Sequence, residues 1–144
     1  MPRKAGAIPF RITDGLVQIC LVSSKKRKHK FVLPKGTVRA LEASHEAAMR
    51  ETFEEAGLKG QISKKGIKIK AKSADPDQTI NTIKFFPMLI DEIYNKWPEQ
   101  NLRERLWVDL ENLPKAKMLK RDIKVIESKQ ITTIIRACKN TSVA

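Results

Sequence analysis

The sequence has little of what would mark a secreted, membrane or disulfide-stapled protein. It holds two cysteines in 144 residues, Cys20 and Cys138, and only 6% of its residues are aromatic. Two distant cysteines inside apolar patterns favour buried thiols in a reducing compartment over a disulfide or a metal pair. No run approaches the roughly 18 apolar residues of a membrane helix, and the basic start turns polar before a signal-peptide core forms. We expect a cytoplasmic protein that does not associate with membranes.

Linkers and repeats are also missing from the sequence. It contains no low-complexity tract, no Pro- or Ser-rich connector and no internal repeat. Hydrophobic residues make up 41% of the chain, which is enough to build a core without help from disulfides. We therefore expect one domain spanning residues 1–144.

Acidic residues are the scarce charged type. Sixteen Asp and Glu stand against twenty-nine Lys and Arg, giving a formal net charge of +13. Such an excess implies attraction to polyanions, whether nucleic acid, a membrane surface or phosphorylated small molecules. Charge alone does not choose among these partners, and a single lysine is more often just solvated.

Strand and helix patterns alternate along the chain. A hairpin is expected around Asp14-Gly15, and a helix over Ser44–Ala56, with Ser44 as N-cap and Gly57 just past its end. Pro87 interrupts a long later strand and suggests an edge or a bulge. The remaining patterns are the strands "FVLP", "IKIKAK" and "RLWVDL", a short helix in "LENLPKAKML", and a helical face over "RDIKVIESKQITTIIRACK". This order predicts an α/β fold in which helices pack on a mixed sheet.

Five of the sixteen acidic residues lie between Glu42 and Glu55. Glu51, Glu54 and Glu55 fall within a sector of about 100° on the predicted helix. They repel one another, and two of them sit in the last turn, where the helix dipole favours cations. A solvated face would tolerate this, but oxygen ligands for Mg²⁺ would explain it. The opposite side, expected to pack on the sheet, carries Met49, Phe53 and Ala56.

The residues around these glutamates keep a fixed register. Gly36 is followed by five residues, Glu42, seven residues, Arg50-Glu51, two residues, Glu54-Glu55, one residue, Gly57 and Leu58. This register resembles the Nudix box, the signature of the Nudix (MutT-like) hydrolases, at every spacing. The resemblance implies a Nudix-type α/β/α sandwich with a mixed sheet and a catalytic loop–helix–loop. It also implies cleavage of a pyrophosphate bond in a nucleoside diphosphate linked to another group.

The resemblance assigns roles to individual residues. It makes Mg²⁺ the expected cofactor, with Mn²⁺ as the alternative, held by Glu51, Glu54, Glu55 and the backbone carbonyl of Lys35. Glu42 would reach the metal through water. Arg50 would orient Glu51, and the structural glycines would be Gly36 and Gly57.

The general base stays open between residues inside and outside the box. Glu55 or Glu51 is the first candidate, and Glu99 and Glu104 are the alternatives from a later loop. Thr52 stands where the family usually carries a bulky aliphatic residue, which is a matter of packing. Metal ions neutralise diphosphate oxygens and make water acidic enough to attack phosphorus in line.

The flanks of the box, from about Arg3 to Leu110, resemble the diphosphoinositol polyphosphate phosphohydrolases, which also hydrolyse diadenosine polyphosphates. That resemblance implies a phosphorylated small-molecule substrate and a protein that is a monomer or a homodimer. Phosphate-binding positions would be Lys4, Ser24, Lys26 and Arg103, with the ammonium of Lys35 also able to touch phosphate. Arg3 and Arg105 are weaker candidates.

Other functions fit part of the sequence. A basic nucleic-acid-binding module would suit the charge and the loop "KKRKHK", but it leaves the glutamate register unexplained. A pyrophosphohydrolase acting on RNA 5′ ends or on nucleoside triphosphates would use the same box. A binding module that has lost catalysis is disfavoured because the glutamates of the box are intact. Trp97 admits two roles, stacking on an adenine or anchoring its own loop.

Overall fold

The computed structural model describes residues 3–71 and 81–142. Its strands are β1 (Lys4–Thr13), β2 (Leu16–Ser23), β3 (Phe31–Val32), β4 (Lys35–Thr37), β5 (Leu58–Ile62), β6 (Ile67–Ala71), β7 (Asn81–Ile93) and β8 (Arg105–Asp109). Its helices are α1 (Ser44–Ala56), α2 (Lys120–Glu127) and α3 (Lys129–Ser142). Two 3₁₀ turns, Leu110–Asn112 and Lys115–Lys117, lie between β8 and α2.

The strands form one mixed sheet around β1 and β7. The order is β3-β2-β1-β7-β5, with β4 also pairing β1, β6 also pairing β7, and β8 also pairing β2. β1 and β7 run parallel, and the other pairs are antiparallel. The predicted hairpin closes at Asp14 and Gly15, whose φ angles of 51° and 77° match a tight turn.

Helices cover both faces of the sheet, and the expected α/β/α sandwich is confirmed. On one face, Ala5 and Ala7 of β1 pack in a cluster with Ala47, Ala48 and Ala56 of α1. The other face carries the larger side chains of a second cluster, to which α2 and α3 contribute Val125, Ile126, Ile131 and Ile135. Alternation along β1 separates these faces, since successive side chains point to opposite sides of a strand.

α1 begins and ends where the sequence predicts, but the predicted cap was wrong. Ala43 is the N-cap and Ser44 is the first helical residue. The side chain of Glu46 accepts a hydrogen bond from the backbone N–H of Ala43 at 3.0 Å. Gly57 adopts the left-handed conformation with φ 68°, which is the expected end of the helix.

The predicted sheet-facing side of α1 was also partly wrong. Ala56 is buried, but Met49 is 36% exposed, and Phe53 stacks edge-on against Tyr94 with ring centroids 5.4 Å apart. Small residues on α1 and β1 let the helix lie close to the sheet, and this leaves no room for bulky side chains. Thr52 is fully buried, and its hydroxyl donates to the backbone carbonyl of Ala48 at 2.7 Å.

Pro87 lies where β7 changes partners. β6 pairs with β7 up to Phe85, and β5 pairs with it from Met88 onward. Pro87 therefore lies between the hydrogen-bond ladders to β6 and to β5. Its missing N–H costs little stability on that side of β7.

The last third of the chain differs from the sequence expectation in two ways. The short helix predicted in "LENLPKAKML" is a pair of 3₁₀ turns. The predicted helical face over 121–139 is divided, because the chain leaves helical geometry at Ser128 and α3 starts at Lys129. No helix within residues 3–71 and 81–142 is long and apolar enough to span a membrane. The cytoplasmic location stays a prediction.

Candidate active site

The site is built where β4 passes the middle of α1. Gly36 lies against the carboxylate of Glu51: a Cβ added at Gly36 would be 2.2 Å from Glu51 Cδ. A side chain at this position would therefore displace the carboxylate. The strand was missed from the sequence because three residues with a central glycine give no strand pattern.

Glu51 and Glu55 form a close pair of carboxyl groups in a largely buried setting. Glu55 is 3% exposed, and burial raises its pKa to about 8. The guanidinium of Arg103, 3.6 Å from Glu55 Oε1, opposes that rise, while a hydrogen bond and like charge from Glu51 add to it. Two carboxyl groups in contact cannot both ionise cheaply unless a cation joins them.

Arg50 is the central cation beside this pair. It donates to Glu51 Oε1 at 2.7 Å, to Glu54 Oε2 at 3.3 Å, and to both oxygens of Glu42 at 2.8 and 3.0 Å. It also donates to the backbone carbonyl of Thr37 at 3.0 Å, which ties α1 to β4. The bonds from Arg50 hold the pKa of Glu42 down to about 2, with the Arg39 backbone N–H as a smaller contributor. The carboxylate of Glu42 is thus paired with Arg50 and does not join the Glu51–Glu55 pair.

The donor set can be compared with what a divalent cation requires. Within residues 3–71 and 81–142, no three carboxylate, imidazole or thiol groups converge tightly enough to hold a metal ion as they stand. Glu51 and Glu55 face each other, whereas Glu54 is engaged by Arg50 and lies 3.8 Å from Arg39. The pair offers oxygen donors only, next to a glycine that leaves space for them. These features fit a hard cation such as Mg²⁺.

The alternative bases from the later loop are placed differently. Glu99 comes to the site: its carboxylate pairs with Lys25 and with Arg103, each at 3.1 Å, and its charge acts on Glu55. Glu104 is exposed and contributes a backbone N–H to Ser23 Oγ, so its side chain is not part of the cluster.

Two of the predicted phosphate-binding lysines, Lys4 and Lys35, lie near other cations. Burial lowers the pKa of Lys35 to about 8, with further lowering by Arg121 and Lys4 and a partial offset from Glu55. Lys4 has a lowered pKa for the same reason, burial first, then the charges of Lys26 and Arg121. Lys4, Lys26, Lys35 and Arg121 are called the basic cluster below. Lysines whose pKa values are lowered by burial and by neighbouring cations indicate a strongly positive region.

Arg121 is a member that sequence reasoning missed. Its Nε donates at 2.8 Å to Asp122, a fully buried carboxylate that also accepts from the Leu33 backbone N–H at 3.0 Å. The Nη2 atom of Arg121 is buried and has no hydrogen-bond partner among the described residues. An unpartnered guanidinium nitrogen is costly and invites an anion. Only the packing of α2 against the sheet identifies this residue, since its sequence context is an ordinary amphipathic helix.

Ser24 and Arg103 lie together on a separate cavity of about 400 Å³, between the loop after β2 and the loop before β8. The Ser24 hydroxyl accepts from the backbone N–H groups of Lys26 and Arg27. Arg103 donates to the Ser23 carbonyl at 2.9 Å and to Glu99. The predicted phosphate-binding residues are therefore divided between this cavity and the basic cluster.

Comparison with known families matches the geometry. Residues 2–128 match the family model described as NUDIX domain. The chain belongs to the NUDIX family. The helix that carries Glu51, Glu54 and Glu55 is accordingly the Nudix helix, and the resemblance inferred from the box is confirmed.

Two curated proteins have sequences similar to that of this Nudix chain. "Nudix hydrolase 21, chloroplastic" of Arabidopsis thaliana is 36% identical over 108 residues, covering 73% of this chain and 54% of that protein. The chain thus spans about half the length of this curated relative. "Diphosphoinositol polyphosphate phosphohydrolase 3-alpha" of Mus musculus is 27% identical over 79% of this chain and 68% of that protein.

A solved C. elegans Ap4A hydrolase shares the Nudix fold. The match has a TM-score of 0.61 at 20% identity and covers 99% of this chain and 98% of that one. At this level of identity the likeness is one of fold.

Proposed function

We propose that this Nudix chain is a metal-dependent hydrolase of phosphoanhydride bonds. The proposal rests on the close Glu51–Glu55 carboxyl pair, which lies against Gly36 and is flanked by Arg50 and Arg103, with Lys35 near enough for its charge to interact with that of Glu55. Hydrolysis of a pyrophosphate needs both a cation bound by carboxylates and positive charge for the rest of the phosphate array.

Glu51, Glu55 and Glu54 are the residues that would hold a divalent cation, Mg²⁺ or Mn²⁺. Such a cation supplies charge neutralisation at the phosphate oxygens and acidifies a water molecule. Arg50 holds Glu51 and Glu54 at fixed directions, and Gly36 leaves the space that the Glu51 carboxylate occupies. To join the pair, Glu54 would have to give up its bond to Arg50, which at 3.3 Å is the longest of that arginine's carboxylate bonds.

Glu55 is the residue best suited to take a proton from the attacking water. Without the cation, burial raises its pKa to about 8, and a bound cation would lower this value and leave the carboxylate ionised and able to accept a proton. Arg103 contacts it at 3.6 Å and would compensate its charge once it is ionised. Glu99, paired with Lys25 and Arg103, holds Arg103 in this position.

The substrate class is proposed from the basic cluster. Three lysines near Arg121, whose guanidinium carries an unpartnered nitrogen, suit a ligand with several phosphates better than a single diphosphate. Diphosphoinositol polyphosphates and dinucleoside polyphosphates have this character, and the name of the mouse relative refers to the first of them. Ser24 and Arg103 would extend phosphate contacts into the neighbouring cavity.

Phosphate release over a substrate panel tests the proposal. The panel holds a diphosphoinositol polyphosphate, diadenosine polyphosphates, 5′-triphosphorylated RNA, nucleoside triphosphates and ADP-ribose, each with and without Mg²⁺. We expect Mg²⁺-dependent cleavage of the first two and a loss of about 100- to 10,000-fold in Glu55→Gln. Glu111→Gln, which removes an exposed carboxylate outside the site, is the matched control and should be unaffected.

Two outcomes would change the proposal. Preferential cleavage of RNA or of nucleoside triphosphates would keep the chemistry and replace the substrate class. Absence of any metal-dependent turnover would leave a binding module as the better account.

A further inference from the structure

The C-terminal end of the Nudix helix accepts hydrogen bonds from a distant segment of the chain. A helix leaves its last carbonyls without intrahelical donors, and here three successive carbonyls find partners in residues 97–105. The Glu99 backbone N–H donates to the Glu54 carbonyl at 2.9 Å, the Trp97 Nε1–H to Glu55 at 3.1 Å, and Arg105 Nη1 to Ala56 at 2.9 Å.

Trp97 and Arg105 pack as one unit against the helix end. The Arg105 guanidinium lies over the Trp97 ring, with Cζ 4.2 Å from the ring centroid. The ring in turn covers Gly57, where an added Cβ would be 2.8 Å from Trp97 Cγ. The indole is therefore packed on the helix end, and the Arg105 guanidinium donates to a helix carbonyl.

These contacts offset an unfavourable charge arrangement in the last turn of α1. Glu54 and Glu55 occupy the last turn, where the carbonyl ends of the helix are negative and where α1 itself supplies no basic residue. The indole N–H and the Arg105 guanidinium bring positive ends to those same carbonyls. They bind the backbone of Glu55 and of its neighbour, so they fix where the Glu55 side chain starts.

We propose that Trp97 and Arg105 are positioning residues that hold the last turn of α1, and with it Glu55, in the geometry needed to bind the cation and to take the proton. The inference rests on the proposed function, because it assigns Glu55 a ligand and base role. Both residues act through the helix backbone, at the carbonyls of Glu55 and Ala56.

The chain offers a matched pair of tryptophans for the test. Trp97→Phe keeps an aromatic ring over Gly57 but removes the indole N–H. Trp107→Phe makes the same change in β8, where the ring lies under the Arg11 guanidinium, with Cζ 3.9 Å from the ring centroid, and packs against the cluster on the α1 face of the sheet. Binding of Mn²⁺ is measured by calorimetry and electron paramagnetic resonance, alongside kcat, KM and the thermal midpoint.

We expect Trp97→Phe to weaken Mn²⁺ binding and to lower kcat by about tenfold each, with KM within about twofold of the parent. Trp107→Phe should leave Mn²⁺ binding and kcat unchanged, even if its thermal midpoint falls as much as that of Trp97→Phe. Arg105→Lys, which keeps the charge, should recover part of the loss seen in Arg105→Met. A purely structural role would lower the two midpoints and leave metal affinity alone.

The outcomes separate this inference from the proposed function. If the parent protein binds Mn²⁺ but turns over no substrate, and Trp97→Phe weakens the binding, the inference stands and the proposed activity fails. Equal Mn²⁺ affinity and equal kcat in Trp97→Phe and Trp107→Phe would overturn the inference. A parent protein that binds no Mn²⁺ would overturn both.

Discussion

The carboxylate site and the basic cluster are neighbours that handle their charge in opposite ways. At the carboxylate site, Glu42, Glu51 and Glu54 are bonded to Arg50, and Glu55 faces Arg103. In the basic cluster, burial and the neighbouring cations lower the pKa values of Lys4 and Lys35, and the carboxylate bonded within it is that of Asp122. The first region is partly neutralised by its arginines and keeps one close pair of carboxyl groups. The second carries an excess of positive charge, as expected of a surface that binds a polyanion.

The larger of two expected effects on this comparison comes from removing the space beside Glu51. In Gly36→Ala the new Cβ must displace the Glu51 carboxylate, and a displacement of about 1 Å at a catalytic group costs about 100-fold in rate. The stability cost should be small, because the atoms that move are at the end of a flexible side chain. Steady-state kinetics and urea unfolding of the same preparation separate the two effects.

Thr37→Ala, at the adjacent exposed position of β4, is the control for Gly36→Ala. Arg50 bonds the carbonyl of Thr37 and not its side chain, so the rate should stay near that of the parent. A Gly36→Ala protein with normal kcat would contradict the placement of Glu51 in the reaction.

The smaller expected effect concerns how much the basic cluster lowers the free energy of unfolding. The pKa of Lys35 is about 8 in the folded protein against an ordinary value of 10.5, so its ammonium destabilises the fold at pH values below 8. Lys35→Met should therefore raise the free energy of unfolding by about 1–3 kcal/mol at pH 7. Because both states become neutral at high pH, this gain should disappear as the pH rises from 8 to 10.5.

Urea unfolding across this pH range measures the difference between parent and variant. Lys64→Met, which changes an exposed lysine outside the cluster, should show no pH-dependent gain over the same range. A Lys35→Met protein that is less stable than the parent at pH 7 would mean that the cluster is not strained.

How far the sequence predicts this molecule depends on how local each feature is. The bounds of α1 and its end at Gly57 were predictable, because helix propensity and a C-terminal glycine act within one or two turns. The hairpin at Asp14 and Gly15 is local in the same sense. The glutamate register identified the family, since all its positions lie within one short stretch of the chain, Gly36 to Leu58.

Features that depend on distant segments were not predictable. Nothing near Arg121 in the sequence indicates that α2 brings it to Lys35, about 85 residues earlier in the chain. The face of α1 that packs on the sheet was misassigned because small alanines, rather than the bulky Met49 and Phe53, meet Ala5 and Ala7. The role of Trp97 depends on carbonyls more than 40 residues away.

The central claim is that the carboxylate site binds the cation and that the basic cluster binds the polyanion. Two binding measurements on two variants test it most directly: Mn²⁺ by calorimetry, and inositol hexakisphosphate in the presence of a chelator. We predict that Glu51→Gln loses Mn²⁺ binding and keeps the polyanion, while Arg121→Gln keeps Mn²⁺ and binds the polyanion about tenfold more weakly. If each variant lost both ligands to the same extent while remaining folded, the division between the two regions would be contradicted.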